Sequence, residues 1–360
     1  MGKILNIGVI GCGTIANSAH IPNYKRLQEE GKVKIKYLCD IILERAEEAV
    51  KKWGVGVAVK DYKDVINDPE IDAVSVCTPN KMHRFISIDA MRAGKHVLCE
   101  KPIARNYQEA LDMQKVQHET GMTLNIGVVN RFNGAVNKIR EIIAAGDLGE
   151  IYQTNVSFRA HRSIPGLGGD FTTKEIAGGG VLIDWGVHYL DIAMYCLGDP
   201  KTKTVSGVAY SKLGVDMKNY VYEGMWAEDK KDLNGTYDVD DYVTGFIRTE
   251  GSSITFNGAW AQNIGSGSYS YVQFLGTKAG IHLQYGGDFD VYTTKDGKLY
   301  SYRPEYTSGD MFYKEISDFV DCIKTGKKLP SHIDTVIVTA KMMQGIYDSS
   351  EQNREIVFED

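Results

Sequence analysis

Leu5-Asn6-Ile7-Gly8-Val9-Ile10-Gly11-Cys12-Gly13-Thr14-Ile15-Ala16 is the stretch that decides the fold. The apolar run Ile4 to Ile10 reads as a strand, and the glycine-rich hexad after it opens a helix. In that context each small residue has a use. Gly11 allows a tight turn, Gly13 lets the backbone approach a pyrophosphate, and Ala16 lets the helix pack closely on the strand. The anion rests on the first N–H groups of the helix, which makes Thr14 and Ile15 candidate contacts with Gly11 and Gly13. A glycine-rich turn that holds nothing is the alternative, and the strand before and helix after weigh against it.

Outward from this turn, up to about residue 128, short β-branched runs alternate with amphipathic segments. The candidate strands are Ile4 to Ile10, Val33 to Cys39, Ala73 to Cys77, His96 to Cys99 and Thr123 to Val128; Leu43 to Trp53 and Arg84 to Ala93 have helical spacing. Repeated β-α-β implies a doubly wound parallel sheet covered on both faces, so the fold class is α/β over 1–128. The rhythm changes after a helix at Gly134 to Ala145 and the turn Gly146 to Gly149. Strands at Ile151 to Arg162, Tyr242 to Arg248, Ser253 to Ala261, Tyr269 to Leu275 and Gly280 to Tyr285 are expected to form an antiparallel sheet. Helices at Val181 to Leu197, Met311 to Thr325 and Asp334 to Ser349 complete an α+β domain over 129–360.

Ligands of an open parallel sheet bind outside the carboxyl ends of its strands, and chemistry-bearing residues stand there. Asp40 can accept hydrogen bonds from the ribose hydroxyls of NAD and repel the extra phosphate of NADP; Arg45 nearby tempers that preference, and a helix-capping role for Asp40 is compatible with it. Thr78, Asn80 and His83 follow the strand ending at Cys77, as Glu100 and Lys101 follow the run ending at Cys99. All are candidate cofactor contacts, with a helix-start histidine and a solvated lysine as the plain alternatives. Pro102 biases Lys101 to an extended backbone that would aim its ammonium into the crevice.

In the second domain Gly178-Gly179-Gly180 precedes Asp184, His188 and Asp191. The spacing puts these three on one face of an otherwise apolar helix. An imidazole there can take a hydroxyl proton while a carboxylate orients it and stabilises its cation. A buried structural Asp-His pair is the alternative; for zinc the ligand set is incomplete, so no metal is expected.

Together these pieces resemble the glucose-fructose oxidoreductase/inositol dehydrogenase family, Gfo/Idh/MocA. The likeness runs through GCGTIA at 11–16, EKP at 100–102, Asn130-Arg131-Phe132, Gly146 to Gly149, and GGG with the following Asp184 and His188. It implies a Rossmann domain followed by an α+β domain with a large open antiparallel sheet that commonly mediates homo-oligomerisation. Lys101, Asp184 and His188 are then the expected catalytic group, all three also touching substrate, and Asn130 and Arg131 join the cofactor candidates. The expected activity is NAD-dependent oxidation of a secondary hydroxyl on a sugar, glycoside or cyclitol.

Similarity in Tyr237 to Asp241 and Gly258 to Ala261 ranks the 3-hydroxyl of a glucoside first and inositol second. Arg159, His161 and Asp170 are candidate substrate contacts, with salt-bridge or turn roles as alternatives. The loop Pro165 to Phe171 and the aromatic stretch with Tyr222, Trp226 and Tyr237 are suited to shaping a sugar pocket or to lying on the surface. A non-catalytic NAD-binding sensor is the reading from another class, and the intact Lys101, Asp184 and His188 argue against it.

Composition narrows the rest. A chain of 360 residues, 43% hydrophobic and 24% charged, has room for two cores, and a net charge of −6 with interspersed signs leaves no basic stripe for nucleic acid. No apolar run is long enough for a membrane span. The six cysteines form no CxxC pair and read as buried small hydrophobes of a cytoplasmic protein. Glycine, 38 of 360, exceeds its usual share of about 7%, and the turns above account for part of the excess.

Overall fold

The structure, a computed structural model, describes all residues except 1, 2, 225, 226, 228–230, 266, 267 and 360. The chain divides into two compact units, Met1–Phe132 with Gly309–Ile337, and Asn133–Ser308 with Val338–Asp360.

The first unit threads β1 (Leu5–Ile10), α1 (Ile21–Glu29), β2 (Val33–Cys39), α2 (Leu43–Trp53), β3 (Val57–Val59), α3 (Tyr62–Ile66), β4 (Ala73–Val76), α4 (Asn80–Arg92), β5 (His96–Glu100), α5 (Tyr107–Thr120) and β6 (Leu124–Gly127). Its strands are all parallel in the order β3-β2-β1-β4-β5-β6, the doubly wound Rossmann arrangement, whose order reverses between β1 and β4. Ile7, Val9, Val74, Val76, Leu98 and Cys99 are fully buried because helices cover both faces.

The second unit contains α6 (Gly134–Ala144), β7 (Ile151–Ala160), α7 (Lys174–Ala177), α8 (Val187–Cys196), β8 (Thr202–Tyr210), β9 (Tyr242–Thr249), β10 (Ser253–Ala259), β11 (Ser268–Gly276), β12 (Ala279–Gln284), β13 (Phe289–Lys295) and β14 (Lys298–Tyr302). After α9 (Met311–Thr325), α10 (Ile333–Gln352) and β15 (Ile356–Val357), a nine-stranded sheet is complete in the order β14-β13-β12-β11-β7-β10-β9-β8-β15. The expected antiparallel sheet holds one parallel pair, β7 with β10. A parallel pair needs a long crossover, and residues 161–252 with their helices supply it. One face of the sheet packs Val156, Phe158, Ile247, Ile254, Val272 and Phe274 against α6, α8 and the Met342 to Ile346 part of α10. The other face carries a polar ladder in which Gln153 Nε2 donates to Thr255 Oγ1 at 3.1 Å and Asn155 Nδ2 to Gln273 Oε1 at 3.2 Å.

The sequence places everything after residue 128 in the second domain, whereas the structure groups Gly309–Ile337 with the first. Hydrophobic burial explains the difference. On α9, Ile316, Phe319 and Val320 complete the same core as Tyr24 and Leu27 of α1, and the Arg26 guanidinium lies 3.7 Å from the centroid of the Tyr313 ring. Farther on, Ile126 N donates to Ser331 O at 2.9 Å, so the 331–332 segment covers the free edge of β6. All six cysteines are free and buried. No helix among the described residues is long and apolar enough to cross a membrane.

Glu315 on α9 is 1% exposed, and neither carboxyl oxygen has a hydrogen-bond partner among the described residues. Burial, followed by the nearby Glu100 charge, raises its pKa well above the ordinary carboxyl value. The folded state therefore retains a proton that the unfolded chain has lost above about pH 4.3, and folding stability falls as pH rises from there toward the raised pKa, by up to about 1.4 kcal/mol per unit. Glu315→Gln removes this penalty. Thermal unfolding should show the variant more stable than the parent near pH 8 and equal to it near pH 4; an equal difference at both would contradict the assignment.

Candidate active site

The nucleotide end of the first unit is built on backbone contact. Gly11 has φ +94°, and a Cβ there would lie 2.5 Å from the carbonyl oxygen of Cys77, so only glycine lets the ends of β1 and β4 meet. At Gly13 a Cβ would meet nothing within 4 Å, and Gly13 and Thr14 are exposed. That open space above a helix entry is what a phosphate needs. Ile15 is half-buried and Ala16 fully buried. The helix passes through a wide turn at Ala16–His20, in which Ile21 N bonds back to Ala16 O, before continuing as α1. Asn17 locks the turn by donating to Cys12 O at 2.8 Å and accepting from Trp53 Nε1 at 2.9 Å.

Asp40 is buried, with Oδ2 accepting from Cys12 N and Oδ1 from Ile42 N, each at 2.9 Å. The residue at the α2 cap position is Ile42, so Asp40 braces the phosphate turn and the approach to α2 rather than capping the helix itself. Arg45 is exposed on the first turn of α2. Thr78 presents a buried hydroxyl without a hydrogen-bond partner among the described residues, at the carboxyl end of β4 where a ligand would supply one, and Asn80 opens α4. Free space at Gly13, the orphan hydroxyl at Thr78 and the acid at Asp40 together fit a dinucleotide.

His83, expected among the cofactor contacts, has both ring nitrogens committed elsewhere. Nδ1 lies 2.8 Å from Pro102 O and Nε2 2.9 Å from Thr78 O, so the ring sits between the segments after β4 and β5 and its single neutral-form N–H donates to one of the two carbonyls. Burial, outweighing the two carbonyls, holds its pKa below the usual histidine value. Glu100 is buried as well, with Oε1 2.8 Å from His20 Nε2 and Oε2 accepting from Lys101 N at 3.1 Å. Burial pushes that carboxyl up, but the His20 bond and the His20 and Lys101 charges prevail, and its pKa lies below the ordinary value. Lys101 is half-buried and precedes a cis peptide to Pro102. Asn130 and Arg131 are buried on the short turn Val129–Phe132, where Arg131 donates to Pro330 O at 2.9 Å. Arg131 thus holds protein backbone.

In the second unit a wide turn at Leu182–Gly186 precedes α8, Val187 N bonding back to Leu182 O. Such turns are frequent at functional sites. Asp184 lies within it and is 8% exposed; His188 opens the regular helix and is half-buried on a face whose neighbours are buried. Asp191 is fully buried and accepts from Thr339 Oγ1 at 3.1 Å, a structural use on α10. Sequence reasoning missed Tyr285, whose ring centroid lies 6.5 Å from that of His188 and 4.3 Å from that of Tyr189, which in turn stacks on Phe158. A lone aromatic before Gly286 carries no signal of this pairing. His20 and Asn17 were likewise missed, since only the fold brings their partners near.

The candidate substrate residues scatter. Arg159 alternates with Phe158 and so stands on the polar face of the sheet, opposite α8, with Nε 3.2 Å from Ser157 Oγ and the guanidinium 5.2 Å from the Tyr269 ring centroid. His161 Nδ1 lies 2.9 Å from Gln262 O, and Asp170 is exposed on a short turn. The loop around Gly168 and the aromatic stretch are joined. Ile164 N donates to the Tyr220 hydroxyl at 3.2 Å, Asp232 N to Leu167 O at 2.9 Å, and a Cβ at Gly168 would meet Asp232 O at 2.1 Å. Trp226 lies outside the described residues.

Comparison with known proteins decides the family. Residues 5–128 match "Oxidoreductase family, NAD-binding Rossmann fold" and residues 136–282 match "GFO/IDH/MocA C-terminal domain". The chain belongs to the Gfo/Idh/MocA family. It is an NAD-dependent oxidoreductase of that family, and its first unit is the NAD-binding domain. Gfo/Idh/MocA relatives include D-glucoside 3-dehydrogenase of Escherichia coli, 29% identical over 98% of this chain and 97% of that one. Myo-inositol 2-dehydrogenase of Thermotoga maritima is 31% identical over 54% of this chain and 55% of its own. Among solved structures, levoglucosan dehydrogenase in complex with NADH and levoglucosan shares the fold with a TM-score of 0.85, at 22% identity over 99% of this chain and 100% of that one.

The two glycines of the phosphate turn separate binding from folding. Gly13→Ala should leave the unfolding temperature unchanged while weakening NAD+ about ten-fold or more, as read by calorimetric titration. Gly11→Ala should lower stability by more than about 1 kcal/mol through its positive φ and the Cys77 contact. Equal effects of the two on stability would contradict this geometry.

Proposed function

We propose that the protein oxidises a secondary hydroxyl of a sugar or glycoside, with the 3-hydroxyl of a glucoside ranked first, and passes the hydride to NAD+. The observation that carries the reading is the half-buried imidazole of His188, reaching the surface of an otherwise buried helix directly after a wide turn that holds Asp184. The end-to-end similarity to D-glucoside 3-dehydrogenase supports the ranking, and the myo-inositol dehydrogenase supports a cyclitol as the second reading. Asp40 favours NAD over NADP, because a 2′-phosphate would approach its carboxylate.

NAD+, when bound, supplies the hydride acceptor at nicotinamide C4. His188 takes the hydroxyl proton as the carbinol C–H bond breaks, so the carbon loses a hydride, the oxygen loses a proton, and a ketone remains. Asp184 orients the imidazole and stabilises its cation, and Lys101 donates a hydrogen bond to the reacting oxygen. Six free, buried thiols support a cytoplasmic setting.

Absorbance of NADH over a panel of glucosides, free sugars and inositols tests the reading. Turnover fastest on a glucoside is the expected outcome; tight NAD+ binding with no turnover on any member would favour a sensor instead. On the best substrate His188→Ala should lower kcat by about 10² to 10⁴ while NAD+ affinity holds. The same assignment extends to assembly: we place a homo-oligomer contact on the polar face of the nine-stranded sheet, which α6, α8 and α10 leave uncovered and where Tyr269 and Tyr292 are exposed. Light scattering at micromolar concentration should return a multiple of the 40.0 kDa chain mass, and a monomer would count against it.

A further inference from the structure

The aspartate pair in Tyr237-Asp238-Val239-Asp240-Asp241, singled out by its sequence, points away from substrate and toward the polypeptide itself. Asp240 is 6% exposed. Its Oδ1 accepts from Gly180 N at 2.8 Å and from the Tyr347 hydroxyl at 2.8 Å, and Oδ2 accepts from Leu182 N at 3.0 Å. Its backbone carbonyl accepts from Val181 N at 2.9 Å. Three successive amides at the entry of the helix that bears Asp184 and His188 are thus held by one residue. The approach is so close that a Cβ at Gly180 would lie 1.9 Å from Asp240 O, and one at Gly179 would lie 2.1 Å from the Tyr347 hydroxyl. This explains two glycines of the triplet by contact with Asp240 and its hydroxyl partner.

A helix entry normally leaves its first amides to water or to a capping side chain from the preceding residue. Here the acceptor arrives from 60 residues downstream, and the turn it holds is the irregular one. A wide turn has weaker internal restraint than a regular helix, so its geometry depends on what grips its ends. Val181, with αR dihedrals, leads directly into Leu182–Gly186, and Leu182 N is one of the gripped amides. Asp241 next door does a different task, its carboxylate accepting from Lys212 N at 2.9 Å, Leu213 N at 2.6 Å and Gly214 N at 2.8 Å.

We propose that Asp240 is a positioning residue for the reaction, acting through the Gly180 to Leu182 amides to fix where Asp184 and His188 stand, and that Tyr347 supports it by donating a second hydrogen bond to Oδ1. This rests on the assignment of His188 as the proton acceptor. The substrate pocket is then to be sought elsewhere than in this aspartate pair, since both carboxylates are occupied by backbone.

The test compares Asp240→Asn, Asp241→Asn and His188→Ala with the parent on its best substrate, together with amide hydrogen exchange. In Asp240→Asn the amides of Gly180 and Leu182 should exchange about ten-fold faster or more, kcat should fall about ten- to a hundred-fold, and KM for NAD+ should stay within about two-fold. Asp241→Asn should lose stability yet keep the parent kcat. If Asp240→Asn does not fold, Tyr347→Phe takes its place, with a smaller fall in kcat and the same unchanged KM for NAD+. Unchanged exchange, an unchanged kcat beside an inactive His188→Ala, or equal loss of kcat in both aspartate variants would each overturn the inference alone. A fully active His188→Ala would overturn the underlying assignment and this inference with it.

Discussion

The nucleotide end of the first unit depends on one steric fact: at Gly11 and Cys77 two strands come together with no room for a side-chain carbon. Strands β1 and β4 are neighbours at the point where the sheet reverses its order, so this crossing fixes the floor of the crevice. Several residues above it are braced by short hydrogen bonds within the unit. Asp40 reaches across to the Cys12 amide, His83 lies between the Thr78 and Pro102 carbonyls, and Glu100 is held by His20. Chemistry-bearing side chains at this end are used as much to brace the frame as to face a ligand.

The second unit repeats the arrangement with different residues. A glycine again lies in backbone contact with a distant segment, Gly180 against Asp240, and a buried carboxylate again gathers amides near a helix entry. In both cases a wide helical turn follows, at Ala16–His20 and at Leu182–Gly186. An aspartate accepting two N–H groups can hold an irregular backbone that hydrogen bonds internal to the helix would not specify. The recurrence links the glycine excess of the composition to these contacts, since a side chain at Gly180 would displace the segment that carries Asp240 and one at Gly11 would displace the end of β4 at Cys77.

Which parts of this were legible in the sequence follows the range of the interactions. Strands with continuous burial, such as Ala73–Val76, and helices with strong periodicity, such as Leu43–Trp53 and Met311–Thr325, stand out because their pattern is local. The strand Lys298–Tyr302 has no buried residue and Val57–Val59 is three residues long, so neither shows a periodicity to read. The motif residues Gly11, Lys101, Asp184 and His188 stand out by type and spacing. Commitments of a side chain to a remote backbone do not: nothing in the sequence around His83, Arg131 or Asp191 announces Pro102, Pro330 or Thr339 as partners. Arg159 is a pocket candidate by alternation, and alternation says that two faces exist without saying which one the helices cover.

The return of residues 309–337 to the first unit sets the order in which the chain can be finished. Emerging from the ribosome, the first 132 residues contain all six parallel strands but lack Ile316, Phe319 and Val320, which close the core around Tyr24 and Leu27. That surface stays wet while residues 133–308, with eight of the nine strands of the second sheet, are made. The nascent nucleotide-binding half thus stays incompletely packed until residues 309–337 have been made, and a separately expressed segment ending at residue 132 would lack that part of its core.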